Sequence, residues 1–209
     1  MIIGLVGFIG SGKGTVATIL ERNGFNRESF AKPVKDVAAA AFGWDRELLE
    51  GETIASREWR EKPCPIWTSL LGKEITPRKI LQLIGTEMFR DQVANDFWVK
   101  ALQSRIQFAY EPKYVISDVR FPNEIEMIVS LGGKVYEVTR GHNPEWYDIA
   151  KEWNRTFFHI LNESPEENPP GIDVHYSEWA WIGHPKIEGR IDNNVSLEEL
   201  EQKIKQLTI

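Results

Sequence analysis

Gly7-Phe8-Ile9-Gly10-Ser11-Gly12-Lys13-Gly14-Thr15 stands between two segments of different periodicity. Before it, Ile2, Ile3, Leu5 and Val6 form a short apolar run with β-branched residues, the pattern of a buried strand. After it, Val16, Ala17, Ile19 and Leu20 recur at helical spacing. Strand, glycine-rich loop, helix is the setting in which Gly-x4-Gly-Lys forms a phosphate-binding P-loop. Its glycines let successive N–H groups curl inward around a phosphate, and the helix N-terminus adds partial positive charge at the same place. Lys13 would bridge the outer phosphates as a point charge. Gly14 follows the lysine, so the hydroxyl arrives one position later, at Thr15. Whether Thr15 meets a metal or a phosphate stays open at this point.

With 209 residues the chain is long enough for one good core. A net charge of −6 argues against a general nucleic-acid surface but leaves room for a local basic pocket that takes a small anion. Cys64 is the sole cysteine, which excludes an intramolecular disulfide and a cysteine-rich zinc site. His142, His159, His175 and His184 lack metal spacing. No apolar run approaches a membrane span of ~20 residues, and the N-terminus enters a strand without a signal-peptide pattern. The expectation is a soluble cytoplasmic protein with no membrane and no nucleic-acid polymer as partner; a homodimer is left open.

Outward from the loop, the first helix reaches about Arg22 and a short strand fits Phe25–Phe30. A helix follows from Pro33, with Val34, Val37, Ala38 and Ala41 as its stripe and Gly43 as its stop. Residues 44–76 break the alternation with three tryptophans and two prolines, and predict an inserted helical or irregular segment. Thr76-Pro77 opens a helix that Gly85-Thr86-Glu87 interrupts or ends, and another runs from about Asp96 to Phe108. Lys35, Arg78 and Lys79 sit in first helical turns, where the dipole disfavours cations unless an anion is near. Tyr114–Ser117 reads as a core strand. Asp118-Val119-Arg120 follows at its carboxyl end, the edge at which open α/β sheets bind ligands. Asp118 falls where a P-loop protein needs a magnesium carboxylate, and Arg120 where a guanidinium could grip a phosphoryl group. A helix over Pro122–Leu131, a strand over Lys134–Thr139 ending at Arg140, a last strand over Arg190–Val195 and a capped helix from Leu197 to Leu207 complete the pattern. Residues 142–185 hold four of the eight tryptophans and resist assignment. A segment of that length is expected to be a lid or a satellite core.

These elements predict a three-layer α/β/α sandwich with a mostly parallel sheet of about five strands. It would form a single domain over 1–209, with an acceptor-binding insertion at about 32–110 and a lid-like insertion at about 142–185.

Several blocks resemble the deoxynucleoside monophosphate kinases of tailed bacteriophages. They are Gly10-Ser11-Gly12-Lys13, Lys32-Pro33-Val34-Lys35-Asp36, Leu81-Gln82-x-x-Gly85-Thr86-Glu87 with Trp98-Val99, Asp118-Val119-Arg120, and Asp192-Asn193-Asn194 ahead of Ser196-Leu197-Glu198-Glu199-Leu200. The resemblance implies transfer of a phosphoryl group from ATP to a deoxynucleoside 5′-monophosphate. ATP would be the co-substrate, with Mg2+ held by Thr15 and Asp118. Gly10, Ser11, Gly12, Lys13, Gly14, Thr15 and Arg140 would bind ATP. Lys35, Arg57 and Arg78 would take the acceptor phosphate; Gln82, Gly85, Thr86 and Trp98 would line the base and sugar site, with Arg90 added to that set. Lys13, Asp118 and Arg120 would form the catalytic group, Asp118 and Arg120 lying between the two nucleotides. Other small-molecule P-loop kinases, such as a dephospho-coenzyme A kinase or a sugar kinase, compete with this reading. So does a nucleotide-hydrolysing switch, although a switch would usually carry Ser or Thr where Gly14 stands.

Overall fold

The computed structural model describes residues 1–51, 53–90, 92–109, 113–157 and 168–207. The strands are β1 (Ile2–Val6), β2 (Asn26–Glu28), β3 (Tyr114–Ile116), β4 (Lys134–Thr139) and β5 (Ile187–Asp192). The helices are α1 (Lys13–Arg22), α2 (Ala31–Phe42), α3 (Ile54–Glu61), α4 (Pro65–Leu71), α5 (Pro77–Gln82), α6 (Phe97–Phe108), α7 (Pro122–Ser130), α8 (Tyr147–Phe157) and α9 (Leu197–Leu207). Two compact units emerge: Met1–Ser29 with Leu102–Ile209, and Phe30–Ala101.

The first unit holds the five-stranded sheet, in the order β2-β3-β1-β4-β5, with every pairing parallel. All five residues of β1 are buried, as expected of a central parallel strand covered on both faces. Alternation along β1 sorts its side chains. Ile3 and Leu5 join Val16, Ala17, Ile19 and Leu20 of α1 and Leu200 and Ile204 of α9 in one core. Gly4 faces the opposite way: a Cβ there would lie 2.7 Å from Ile128 Cδ1 of α7 and 3.1 Å from Val135 of β4. Helices thus cover both faces, giving the expected α/β/α layering. Truncating the fully buried Leu5 to Ala would cost about 2–5 kcal/mol.

One strand departs from expectation. β5 covers Ile187–Asp192 rather than Arg190–Val195. It is an edge strand, and its alternation of Glu188 and Arg190 with Ile187, Gly189 and Ile191 dilutes the apolar signal. After it the chain turns, because Asp192 Oδ1 accepts from both Asn194 N at 3.0 Å and Asn194 Nδ2 at 2.8 Å.

The tryptophan-rich 142–185 segment contains α8 and a 3-10 turn at Tyr176–Glu178; its Trp146, Tyr147 and Trp181 rings pack on Phe8 of the loop after β1, and Tyr176 packs on Phe121, while residues 158–167 lie outside the described residues. Trp179 is fully buried and Trp181 nearly so. Asn154 of α8, itself buried, donates to Trp179 O at 3.0 Å and Ile182 O at 2.9 Å.

In the second unit, Val34 and Ala38 of α2 pack with Leu49, Ile75, Ile80, Ile84 and Trp98. Here Gly85-Thr86-Glu87 does not end a helix: α5 runs on into a π-helical turn, Leu83–Met88. Such turns recur at functional sites. No helix among the described residues is long and apolar enough to cross a membrane.

Candidate active site

β1 delivers its carboxyl end into the loop at Gly7. Gly7 and Gly12 take φ values of 142° and 96°, in the region that favours glycine. A Cβ at Gly7 would sit 2.9 Å from Ser11 Oγ, and one at Gly12 would run into the Asn193 side-chain amide. Asn193 Nδ2 donates to Ser11 O at 2.8 Å, and its backbone N to Thr139 O at 2.9 Å. The turn after β5 therefore braces the loop. Gly12 gives α1 no side-chain cap, and the first turn holds no acidic residue. Those N–H groups remain available to an anion.

Ser11 is buried, yet its hydroxyl has no hydrogen-bond partner among the described residues. Lys13 Nζ folds over the loop and donates to Gly7 O at 2.5 Å and Phe8 O at 3.0 Å. Burial, with the neighbouring Arg120 second, pulls its pKa down to about 8, against the opposing pull of Glu178 and Asp118. An orphan hydroxyl, uncapped N–H groups and an ammonium that among the described residues donates to loop carbonyls fit a phosphate chain.

Asp118 follows β3, and Ser29 Oγ donates to its Oδ2 at 3.0 Å. Arg120 is positioned through its backbone: Glu124 Oε2 accepts from Arg120 N at 2.7 Å and Phe121 N at 3.1 Å, which also caps α7. The Arg120 guanidinium reaches Glu178 Oε1 at 2.6 Å. Arg140, beyond β4, is exposed and lines a cavity of about 270 Å³ with Phe8, Ile9, Ser11, Thr139 and His142. Gly10, Gly14 and Thr15 are exposed on the loop and the first turn of α1. Within this unit the sequence-predicted donor-side residues are brought together. Glu178, Glu124 and the bracing role of Asn193 were not legible. Glu178 lies far from Arg120 in sequence, and carboxylates of its kind are usually solvated.

In the second unit Lys35 donates to Glu50 Oε2 at 2.5 Å, Arg78 pairs with Glu61 Oε1 at 2.6 Å, and Arg57 Nε donates to Gly51 O at 3.0 Å. Gln82 and Thr86 are exposed, whereas Gly85 and Arg90 are half-buried. Trp98 is 3% exposed, and its indole N–H donates to Gly85 O at 2.7 Å. Trp98 is thus a core residue that ties down the π-helical turn, not an open stacking face.

The family model for deoxynucleotide monophosphate kinase matches residues 66–152. A protein of Acanthamoeba polyphaga mimivirus bearing that name is 35% identical over 156 residues, covering 67% of this chain and 74% of its own. The chain belongs to the deoxynucleoside monophosphate kinase family. The deoxynucleoside-5'-monophosphate kinase of Escherichia phage T5 is 30% identical over 182 residues, covering 61% of this chain and 71% of its own. Among solved structures, TT1252 from Thermus thermophilus aligns at 18% identity and TM-score 0.43, over 100% of this chain and 96% of that one. A dephospho-CoA kinase from Campylobacter jejuni aligns at 17% and TM-score 0.40, over 99% and 95%. The family match in this deoxynucleoside monophosphate kinase begins within α4 and ends within α8. Its phosphate-binding loop lies outside that span and stands on its own geometry.

Proposed function

We propose that this kinase transfers the γ-phosphoryl group of ATP to a deoxynucleoside 5′-monophosphate, giving the diphosphate, with the site residues assigned as follows. The observation that carries the assignment is Lys13, seated on the loop after β1 within the field of Asp118 and Arg120 from the loop after β3. The loop N–H groups, with Gly10, Ser11, Gly12, Gly14 and Thr15, cradle the phosphates of ATP, and Lys13 offsets their charge. Arg140, beside the 270 Å³ cavity, adds a cation at the same edge of the sheet.

Among the described residues no three or more His, Cys, Asp or Glu side chains group to hold a metal. Asp118 with the Thr15 hydroxyl is the sparse oxygen set that suits Mg2+, an ion that keeps waters and substrate phosphates as most of its ligands. When bound, that ion would neutralise charge on the phosphates. Arg120 offsets the charge of the group in transit. The acceptor phosphate oxygen is itself a competent nucleophile near neutral pH: it forms the new bond to the γ-phosphorus as the bond to the bridging oxygen of ADP breaks. No strong general base is needed, and catalysis is positioning plus electrostatics.

The acceptor belongs to the insertion at about 32–110, with Lys35, Arg57, Arg78, Gln82, Gly85, Thr86 and Arg90 as its contacts and Trp98 fixing Gly85. Residues 142–185 serve as the lid, since Glu178 on that segment already engages Arg120.

The test is ADP formation from ATP and magnesium across a panel of dNMPs and NMPs, with a no-acceptor control. Turnover that requires a dNMP is expected. ATP consumption that ignores every acceptor would favour a hydrolysing switch, and turnover only with dephospho-coenzyme A would favour the competing kinase.

A further inference from the structure

The second unit gathers cations around two carboxylates. Glu50 accepts from Lys35 at 2.5 Å and from Arg46, and Glu61 accepts from Arg78 at 2.6 Å. Arg57 is engaged with the carbonyl of Gly51 at 3.0 Å. Arg60, in the last turn of α3, differs: it makes no ion pair and no hydrogen bond among the described residues, and its Nε is enclosed without a partner. Yet the group is not simply splayed into solvent. Its guanidinium lies on the backbone of Gly51, where a Cβ would run into Cζ and both terminal nitrogens. Gly51 also holds φ at 70°. The glycine therefore both shapes the turn and leaves the space in which the guanidinium lies flat.

Among the described residues no carboxylate pairs with it. Arg78 and Arg57 are its cationic neighbours, and the carboxylates within its field, Glu61 and Glu50, are those already engaged by other cations. Burial first, and the nearby Arg78 next, pull its pKa below the ordinary guanidinium value. In a chain of net charge −6, such an unmatched cation is not a background property of the surface. A surface arginine with nothing to bind would extend into water or take a carboxylate. A half-buried, unpaired guanidinium beside two more arginines fits a compact dianion with several acceptor oxygens, which is the chemistry of a phosphate monoester.

We infer that Arg60 is the principal residue gripping the 5′-phosphate of the acceptor, with Arg57 and Arg78 flanking it and Gly51 kept bare to seat its guanidinium. This rests on the kinase reading above and revises its acceptor set, in which Lys35, committed to Glu50, becomes secondary. The planar fork offers paired donors that an ammonium cannot reproduce.

The experiment is steady-state kinetics of the full chain with the acceptor dNMP varied at saturating ATP, for wild type, R60Q and R60K. Loss of a charge-assisted contact to phosphate predicts a dNMP KM about 10- to 100-fold higher in R60Q, with the ATP KM within about twofold of wild type. R60K keeps charge but not the fork and falls between. Inhibition by the matching deoxynucleoside, which lacks the phosphate, should be the same in all three proteins. An unchanged dNMP KM in R60Q, or equal losses against dNMP and deoxynucleoside, overturns the role of Arg60. If R60Q melts early, R60K decides: a several-fold higher dNMP KM supports the inference and a wild-type value overturns it. Wild-type protein that turns over no dNMP would instead overturn the kinase reading beneath it.

Discussion

Arg120 Nη1 donates to Glu178 Oε1 at 2.6 Å, so the arginine proposed to meet the phosphoryl group is held by a carboxylate of the chain itself. Ser177 Oγ lies 3.4 Å from the same nitrogen. Side-chain exposures of 45% and 26% make this a partly screened pair, worth about 0–1 kcal/mol. If Arg120 binds phosphate as proposed, Glu178 competes with it for the guanidinium. E178Q is therefore expected to tighten ATP binding by up to about fivefold by titration calorimetry, the upper end of that energy. Weaker ATP binding in E178Q would contradict the competition.

Lys13 provides a pH signature. Its pKa is pulled down to about 8, chiefly by burial, while polyphosphate binding favours the charged form. The free site thus loses its proton as pH rises through about 8, and ATP affinity falls with it. At pH 8, where ATP is fully ionised, binding should take up about half a proton per site. Calorimetry in two buffers of different ionisation enthalpy measures this uptake. It should vanish in K13M; uptake of the same size in K13M would place the titrating group elsewhere.

Asn193 braces the loop from across the sheet, donating to Ser11 O at 2.8 Å. N193A should raise the KM for ATP several-fold while leaving the KM for dNMP near wild type. G12A forces a methyl group into the Asn193 amide at a backbone φ of 96° and should abolish measurable ATP binding. Equal effects of N193A on both substrates would mean that Asn193 serves general stability.

Asn154 holds the turn that carries Glu178. Its buried side chain donates to the carbonyls of Trp179 and Ile182, so N154L leaves both without that donor. A loss of about 1–3 kcal/mol is expected in urea unfolding. Wild-type stability in N154L would show that these carbonyls find other donors.

The contrast between legible and illegible parts follows the physics of each signal. Gly7, Gly12 and Lys13 could be read because loop geometry demands glycine and lysine at fixed spacing. β1 and β3 could be read because they are buried and run apolar, and β4 because Val135, Tyr136 and Val138 carry β-forming side chains along its buried part. β5 slipped in the reading because an edge strand needs only one apolar side, leaving Glu188 and Arg190 exposed within it. The π-helical turn at Leu83–Met88 has no composition of its own; Gly85 looked like a stop but serves as the acceptor of the Trp98 N–H. Glu178 and Arg60 were invisible for a different reason. Their significance lies in what faces them, and a charged residue on a helix or turn looks the same whether or not a partner exists.

In the proposed reaction, Lys13 and its surroundings pass a phosphoryl group to a deoxynucleoside monophosphate. The most direct measurement follows label from γ-32P ATP into deoxynucleoside diphosphate by chromatography, for wild type and for K13A of matching melting temperature. Labelled dNDP from wild type and none above background from K13A is the result expected. Label released only as inorganic phosphate would overturn transfer to a dNMP, and equal dNDP from both proteins would overturn the role of Lys13.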